Sequence, residues 1–311
     1  MRKFLPVLFL SAGTMIPAFS ASSVFSIWDD NDFRWSDKYY TNHTRCSFSF
    51  ADEKNSGRTY FASFGQEIYS PANHNTLAAP RGDHPYCGYL YLSGGLTEFF
   101  APDRYFSVEL QAGVIGPSSG AHGTQRDYHN LIGEAPLSGW GSQVRDQPGI
   151  NLQLELGQRF VLAGTPGDGY ASDLLTRQYL SLGTVRDVAS LGVQWRWGKN
   201  LPRDLGYRSM RYTTASVFVP AETKNYYYAF VDFHVDAVAY DVTLGGEMLR
   251  DFRDDTGITP YPFSFELSFG VAVLFGERYL LTVGEHFRRK DFVSADHLYF
   301  AYTGARLSFV F

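Results

Sequence analysis

The chain has 311 residues, 17% of them aromatic, with 30 glycines, only 2 cysteines and a net charge of −5. That charge leaves no basic patch for a nucleic-acid partner, and two cysteines cannot hold together a disulfide-dense secreted domain. No stretch reaches the roughly 20 apolar residues that a transmembrane helix needs, yet the mean hydropathy of −0.21 does not argue for a water-soluble fold, because strands that alternate lipid-facing and lumen-facing residues average to a similar value.

At the N-terminus Arg2 and Lys3 precede the apolar run from Phe4 to Leu10, and small residues follow at Ala18-Phe19-Ser20. These are the parts of a secretory signal, so residues 1–20 are read as a signal peptide and 21–311 as a single outer-membrane barrel domain. Strict alternation then recurs along the chain. Between Ile150 and Phe160, Ile150, Leu152, Leu154, Leu156 and Phe160 share one face while Asn151, Gln153, Glu155 and Arg159 share the other. Phe265, Leu267, Phe269, Val271 and Val273 alternate in the same way with Ser264, Glu266, Ser268 and Gly270, and Ser107, Glu109, Gln111 and Gly113 mark a third polar face. Runs of this length match tilted membrane strands of about 9 to 11 residues.

Twelve such runs are expected, at 23–31, 40–51, 58–70, 86–99, 104–116, 150–162, 172–186, 188–198, 224–239, 263–275, 278–289 and 297–311. An even count closes an antiparallel transmembrane β-barrel with both termini in the periplasm of a Gram-negative bacterium. The chain ends on the amphipathic stretch Leu307-Ser308-Phe309-Val310-Phe311, which resembles the signal that outer-membrane assembly machinery recognises. If the first strand runs outward, the connections 32–39, 71–85, 117–149 and 240–262 all meet at the outer face, while 52–57, 100–103 and 276–277 are short periplasmic turns. Cys46 and Cys87 are read either as a pair or as two small residues on neighbouring strands. Asp232, His234 and Asp236 alternate with apolar neighbours and are placed in an interior polar network.

The 117–149 connection exceeds the roughly 15 residues that a structureless loop usually has. A short helix is expected in it, with Thr124 as cap, Asp127 completing a capping box and Gly133 at its end. Gln125 and His129 then lie at i and i+4 and face the strands, while Leu131 and Ile132 anchor other faces. A second cluster is Asp29, Asp30, Asn31 and Asp32 with Tyr40, Thr41 and Asn42. Hard oxygens on a hairpin suit calcium; equally, Asx residues make turns by bonding their own backbone. Topology brings this cluster and His129 to one membrane face, a combination that fits metal-assisted ester hydrolysis with histidine as general base. No G-x-S-x-G nucleophile elbow is present, which leaves an acyl-enzyme route with less support.

Taken together, Asn31-Asp32-Phe33, Tyr40-Thr41-Asn42, Gln66 to Pro71, Asp83-His84-Pro85-Tyr86, Gly113 to Pro117, and Gln125 through His129 to Ile132-Gly133 with Trp140 resemble the outer-membrane lipid A 3′-O-deacylases. The motifs keep their order across the first half of the chain; the second half is similar only in barrel character. The resemblance implies a twelve-stranded barrel that uses Ca2+ to hydrolyse the 3′-linked acyl or acyloxyacyl ester of lipid A in lipopolysaccharide, at the outer leaflet and as a monomer. It implies that His129 activates water, that Asn31, Asp32 and Thr41 surround the metal with Asp32 as a ligand, and that Gln125 supports the site. Glu134 follows Gly133 directly, and the 71–85 connection carries Arg81 and His74 but no lysine, so a phosphate contact would rest mainly on Arg81. An outer-membrane phospholipase of another mechanism and a non-enzymatic channel or adhesin are the alternative readings.

Overall fold

The computed structural model describes residues 23–32, 37–55, 57–74, 76–215, 224–246 and 256–311; the expected signal peptide and Phe33 lie outside them. The strands are β1 (Ser23–Asn31), β2 (Tyr39–Ala51), β3 (Arg58–Ser70), β4 (Cys87–Ala101), β5 (Arg104–Ile115), β6 (Gln147–Thr165), β7 (Asp168–Gly183), β8 (Arg186–Lys199), β9 (Tyr226–Asp241), β10 (Phe263–Phe275), β11 (Tyr279–Arg289) and β12 (Tyr299–Val310). Each pairs with its sequence neighbours, and β1 closes the barrel on β12 in a register running from Val24↔Val310 to Asn31↔Thr303. The expected twelve-strand closed barrel is present, with strand ends moved by a few residues.

Alternation explains why these segments pair this way. On β6, Leu152, Leu154 and Leu156 are exposed while Asn151, Gln153 and Glu155 are buried, the reverse of a water-soluble sheet. Arg45, Arg177, Arg196 and Arg288 are among the largest wholly buried side chains. Charges taken out of water need partners, and Arg177 Nη1 donates to Asp232 at 3.0 Å and Arg288 Nη1 to Asp236 at 2.7 Å. His234 Nδ1 lies 3.3 Å from Asp232. The three residues assigned to an interior network are therefore in one.

The β8–β9 connection folds back into the lumen as a plug over residues 200–215, with Leu201, Tyr207, Met210, Tyr212 and Ala215 buried. Barrel side chains bind its backbone: Arg177 Nη2 donates to Leu205 O at 2.6 Å, and Ala215 N donates to Glu109 Oε2 at 2.6 Å. At its innermost reach, Ser209 Oγ and Met210 N donate to Asp30 Oδ2 at 3.1 and 3.0 Å. The plug was not foreseen in the sequence. Cys46 and Cys87 are both free. They stand on β2 and β4 with β3 between them, so they are neither paired nor on adjacent strands.

Candidate active site

Strand alternation divides the acidic run at the end of β1. Asp30 is buried in the lumen against Tyr40 and the plug, whereas Asp29 pairs with exposed Thr44, and Asn31 with Asn42, on the outer surface of the wall. The run is thus the end of a strand, and its side chains do not form one ligand set. Asp32 follows directly and its N–H donates to Thr41 O at 3.2 Å.

Helix α1 (Ala121–Ile132) packs against the outside of the wall at β3 and β4. Its N-cap is Gly120, with a left-handed φ of 71°, after a 3-10 turn at Pro117–Ser119. Thr124 therefore lies inside the helix rather than capping it, since Gln66 Nε2 donates to Ser119 O at 2.7 Å and fixes an earlier start. Gly133 ends the helix at φ 80°, as expected. Leu131 and Ile132 are exposed rather than anchored in the protein, because the wall meets the face carrying Ala121, Gln125 and His129. Gln125 spans two elements: its Nε2 donates to Ser70 Oγ at 3.2 Å, and its Oε1 accepts from Trp140 Nε1 at 2.7 Å.

His129 is buried, and its Nδ1–H donates to Ala135 O at 2.9 Å. In the neutral ring this leaves the lone pair on Nε2, which lies 3.2 Å from Asp37 Oδ2. Asp37 is delivered by backbone that residues with side chains rarely adopt, with φ of 42° at Asp37 and 63° at Tyr39; such conformations cost about 1–3 kcal/mol each and collect at functional sites. Packing holds them, since Tyr39 is buried against Phe292 and its hydroxyl accepts from Asp296 N at 2.9 Å. Burial pushes the Asp37 carboxyl above its usual range; His129 and His74 pull it back, and the negative charges of Asp32 and Glu134 push it further.

A cleft of about 350 Å³ separates the wall from the helix. Asp29, Asn31, Thr41, Asn42 and Thr44 line its wall side, Thr124, Gln125, Tyr128 and His129 its helix side, and Asp37 its upper edge. Thr41 Oγ1 is buried without a hydrogen-bond partner. Ligand atoms of Asp37, His129 and Glu134 lie within 4.8 Å of one another. An orphaned hydroxyl beside carboxylates and amide oxygens is a donor set that suits a hard cation such as calcium.

The five residues that the resemblance implies for the site lie at this end of the wall: Asn31, Thr41, Gln125 and His129 line the cleft and Asp32 adjoins it. Gln125 engages Ser70 and Trp140, so it fixes the helix. Asp37 was missed; it belongs to the same hairpin, but only its unusual backbone turns it toward His129. Thr44 and Tyr128 were missed too; strand periodicity from Asn42 and helix periodicity from Gln125 were the available signals.

The family described as outer membrane protein LpxR matches residues 5–311. Among solved structures, LpxR from Salmonella typhimurium superposes with a TM-score of 0.78 at 17% identity, covering 93% of this chain and 99% of that one. The β domain of the Bordetella autotransporter BrkA reaches a TM-score of only 0.44 at 10% identity, covering 94% and 99%. No curated protein sequence gives a significant match. The likeness at 0.78 establishes the twelve-stranded fold.

Proposed function

We propose, for a chain that belongs to the LpxR family of outer membrane proteins, that it hydrolyses the 3′-linked acyl ester of lipid A from the outer leaflet. The observation that carries this reading is the direction of His129: its ring is tied at Nδ1, and its Nε2 faces a cleft on the lipid side of the wall, not the lumen. A substrate that lies in the bilayer reaches such a site without crossing the barrel.

The chemistry follows from the ring's surroundings. The Ala135 carbonyl fixes tautomer and orientation, so Nε2 takes the proton from the attacking water. Asp37, 3.2 Å away, faces the imidazolium that results and stabilises it. The same nitrogen then returns the proton to the departing sugar oxygen, and no covalent enzyme intermediate forms. Calcium, when bound among the oxygens of Asn31, Asp32, Thr41 and Glu134, supplies positive charge for the ester carbonyl. Gln125 keeps the helix seated while Ile68 and Tyr128 narrow the cleft around the base.

The test is mass spectrometry of lipid A incubated with the purified barrel, with calcium, with a chelator, and with His129→Ala in parallel. Loss of the 3′ acyl or acyloxyacyl mass only with calcium and intact His129 is expected. Unchanged lipid A in every sample, with folding verified by heat-modifiable gel migration, overturns the reading.

A further inference from the structure

At the end of the wall opposite His129, the plug leaves β8 and the chain returns to β9. Thr165 pairs there with Asp168, Lys199 with Tyr170 and Tyr227, and Tyr226 with Leu274. The same rim continues through Phe275, Tyr279 and Phe309 to β1, and it faces the periplasm. A pocket of about 230 Å³ opens in this mouth. Arg159 of β6, Arg203 of the plug and Lys224 before β9 line it, and no carboxylate is among the described residues that do.

The side chain of Arg159 is 10% exposed, and its Nε donates to Asp173 Oδ2 at 2.6 Å. Asp173 is already shared, because Arg196 Nε and Nη2 donate to its two oxygens at 2.9 and 2.8 Å. Asp204 is taken by Arg196 Nη1. Arg159 Nη2 is therefore buried without a partner, and a charged donor removed from water without an acceptor is unfavourable. Arg203 Nη2 donates to Ala101 O at 3.1 Å and the charge of Asp103 attracts its guanidinium, while Lys224 is exposed. Asn200 makes the frame rigid: with φ of 53°, its side chain accepts from Gly169 N at 3.1 Å and donates to Asn225 O at 3.0 Å.

We infer that this mouth is a binding pocket for a phosphate group, which Arg159 Nη2, Arg203 and Lys224 hold together. The three cations stand on separate elements around one cavity. A tetrahedral phosphate offers oxygens to several such donors at once, whereas one guanidinium fork already fills a planar carboxylate. Pro166, Leu201 and Leu274 give the remaining volume an apolar lining. Two sources bring that chemistry to this height, soluble phosphomonoesters of the periplasm and phospholipid headgroups of the inner leaflet. Tyr170, Trp197 and Tyr227 are exposed on the lipid side of the same strand ends, with Tyr170 stacked on Trp197 at 5.5 Å, and aromatic girdles of this kind mark the headgroup level.

The experiment uses the purified full-length barrel in a phosphate-free maltoside detergent and needs no turnover. Calorimetry measures binding of inorganic phosphate and glycerol 3-phosphate, with acetate as the planar control, and native mass spectrometry measures retention of dioleoylphosphatidic acid. Arg159→Gln, Lys224→Gln and Arg203→Gln are compared with Arg278→Gln, whose side chain is exposed at the same end outside the pocket. Arg159→Gln and Lys224→Gln are each expected to weaken phosphate binding by about tenfold, and Arg278→Gln to leave it unchanged. Binding of the soluble phosphates alone assigns the pocket to a soluble ligand; retention of the lipid alone, lost in Lys224→Gln, assigns it to a headgroup. Absence of binding by every probe overturns the inference, as does acetate held as tightly as phosphate or an equal loss in Arg278→Gln. If heat-modifiable gel migration shows Arg159→Gln unfolded, the exposed pair decides: unchanged affinity in Arg203→Gln combined with Lys224→Gln overturns the inference as well.

Discussion

Gly88 of β4 and Ala121 of α1 meet with no space for a methyl group between them: a Cβ on Gly88 would overlap both Ala121 Cβ and Ser119 Oγ. Glycine at this outward position lets the helix lie directly on the wall and sets the depth of the cleft. Gly88→Val is expected to lift the first turn of α1 and move His129, lowering ester hydrolysis by about 100-fold, because small displacements of a catalytic group are expensive. The barrel should still fold, since β-branched residues suit strands. Activity assays beside heat-modifiable gel migration check it; full activity would mean that the helix is seated by other contacts.

The strand count was legible because lipid and lumen impose opposite demands on alternate residues, and Leu152, Gln153, Leu154 and Glu155 record those demands directly. The helix start was less so. Gly120, His122 and Gly123 are weak or middling helix formers around Ala121, and their helix begins where it does because Ala121 meets Gly88 and Ser119 meets Gln66, contacts that span tens of residues. The plug was illegible for the same reason: Met210 finds its acceptor on Asp30, and Ala215 on Glu109. Asp37 depends on two left-handed backbone positions, which no periodicity announces.

Gln125 holds Ser70 on one side and Trp140 on the other. Replacing it by leucine keeps the bulk but leaves the Trp140 indole N–H buried and unpaired, at a cost of about 1–3 kcal/mol. The loss should fall on α1 and not on the strands. Hydrogen exchange is expected to quicken in the amides of α1 alone, with a parallel fall in hydrolysis; unaltered exchange there would deny Gln125 its part in seating the helix.

Asp37 stands 3.2 Å from His129 Nε2, the nitrogen proposed to take up the proton. Asp37→Asn preserves size and removes the charge opposite the imidazolium. At saturating calcium, kcat should fall by about 100-fold with KM little changed, the pattern of an interaction made in the transition state. A rise in KM with kcat intact would instead assign Asp37 to holding substrate.

The plug decides whether this barrel conducts. Twelve strands enclose more space than wall side chains alone need to fill, and residues 200–215 occupy part of it, bound through Arg177, Glu109 and Asp30. The wild type in planar bilayers is therefore expected to give no discrete conductance steps, which argues against the channel reading. Replacing residues 203–212 with a Gly-Ser linker removes Leu205, Tyr207, Ser209 and Met210, so Asp30 keeps only Tyr40 among these hydroxyl and amide donors. Water would solvate the freed carboxylates, and steps of conductance should appear. Because Asp30 and Tyr40 directly precede Asn31 and Thr41, the same variant should also lose hydrolysis while keeping a folded wall. Conductance by the wild type, or full hydrolysis after the plug is removed, would show that the lumen and the cleft are independent.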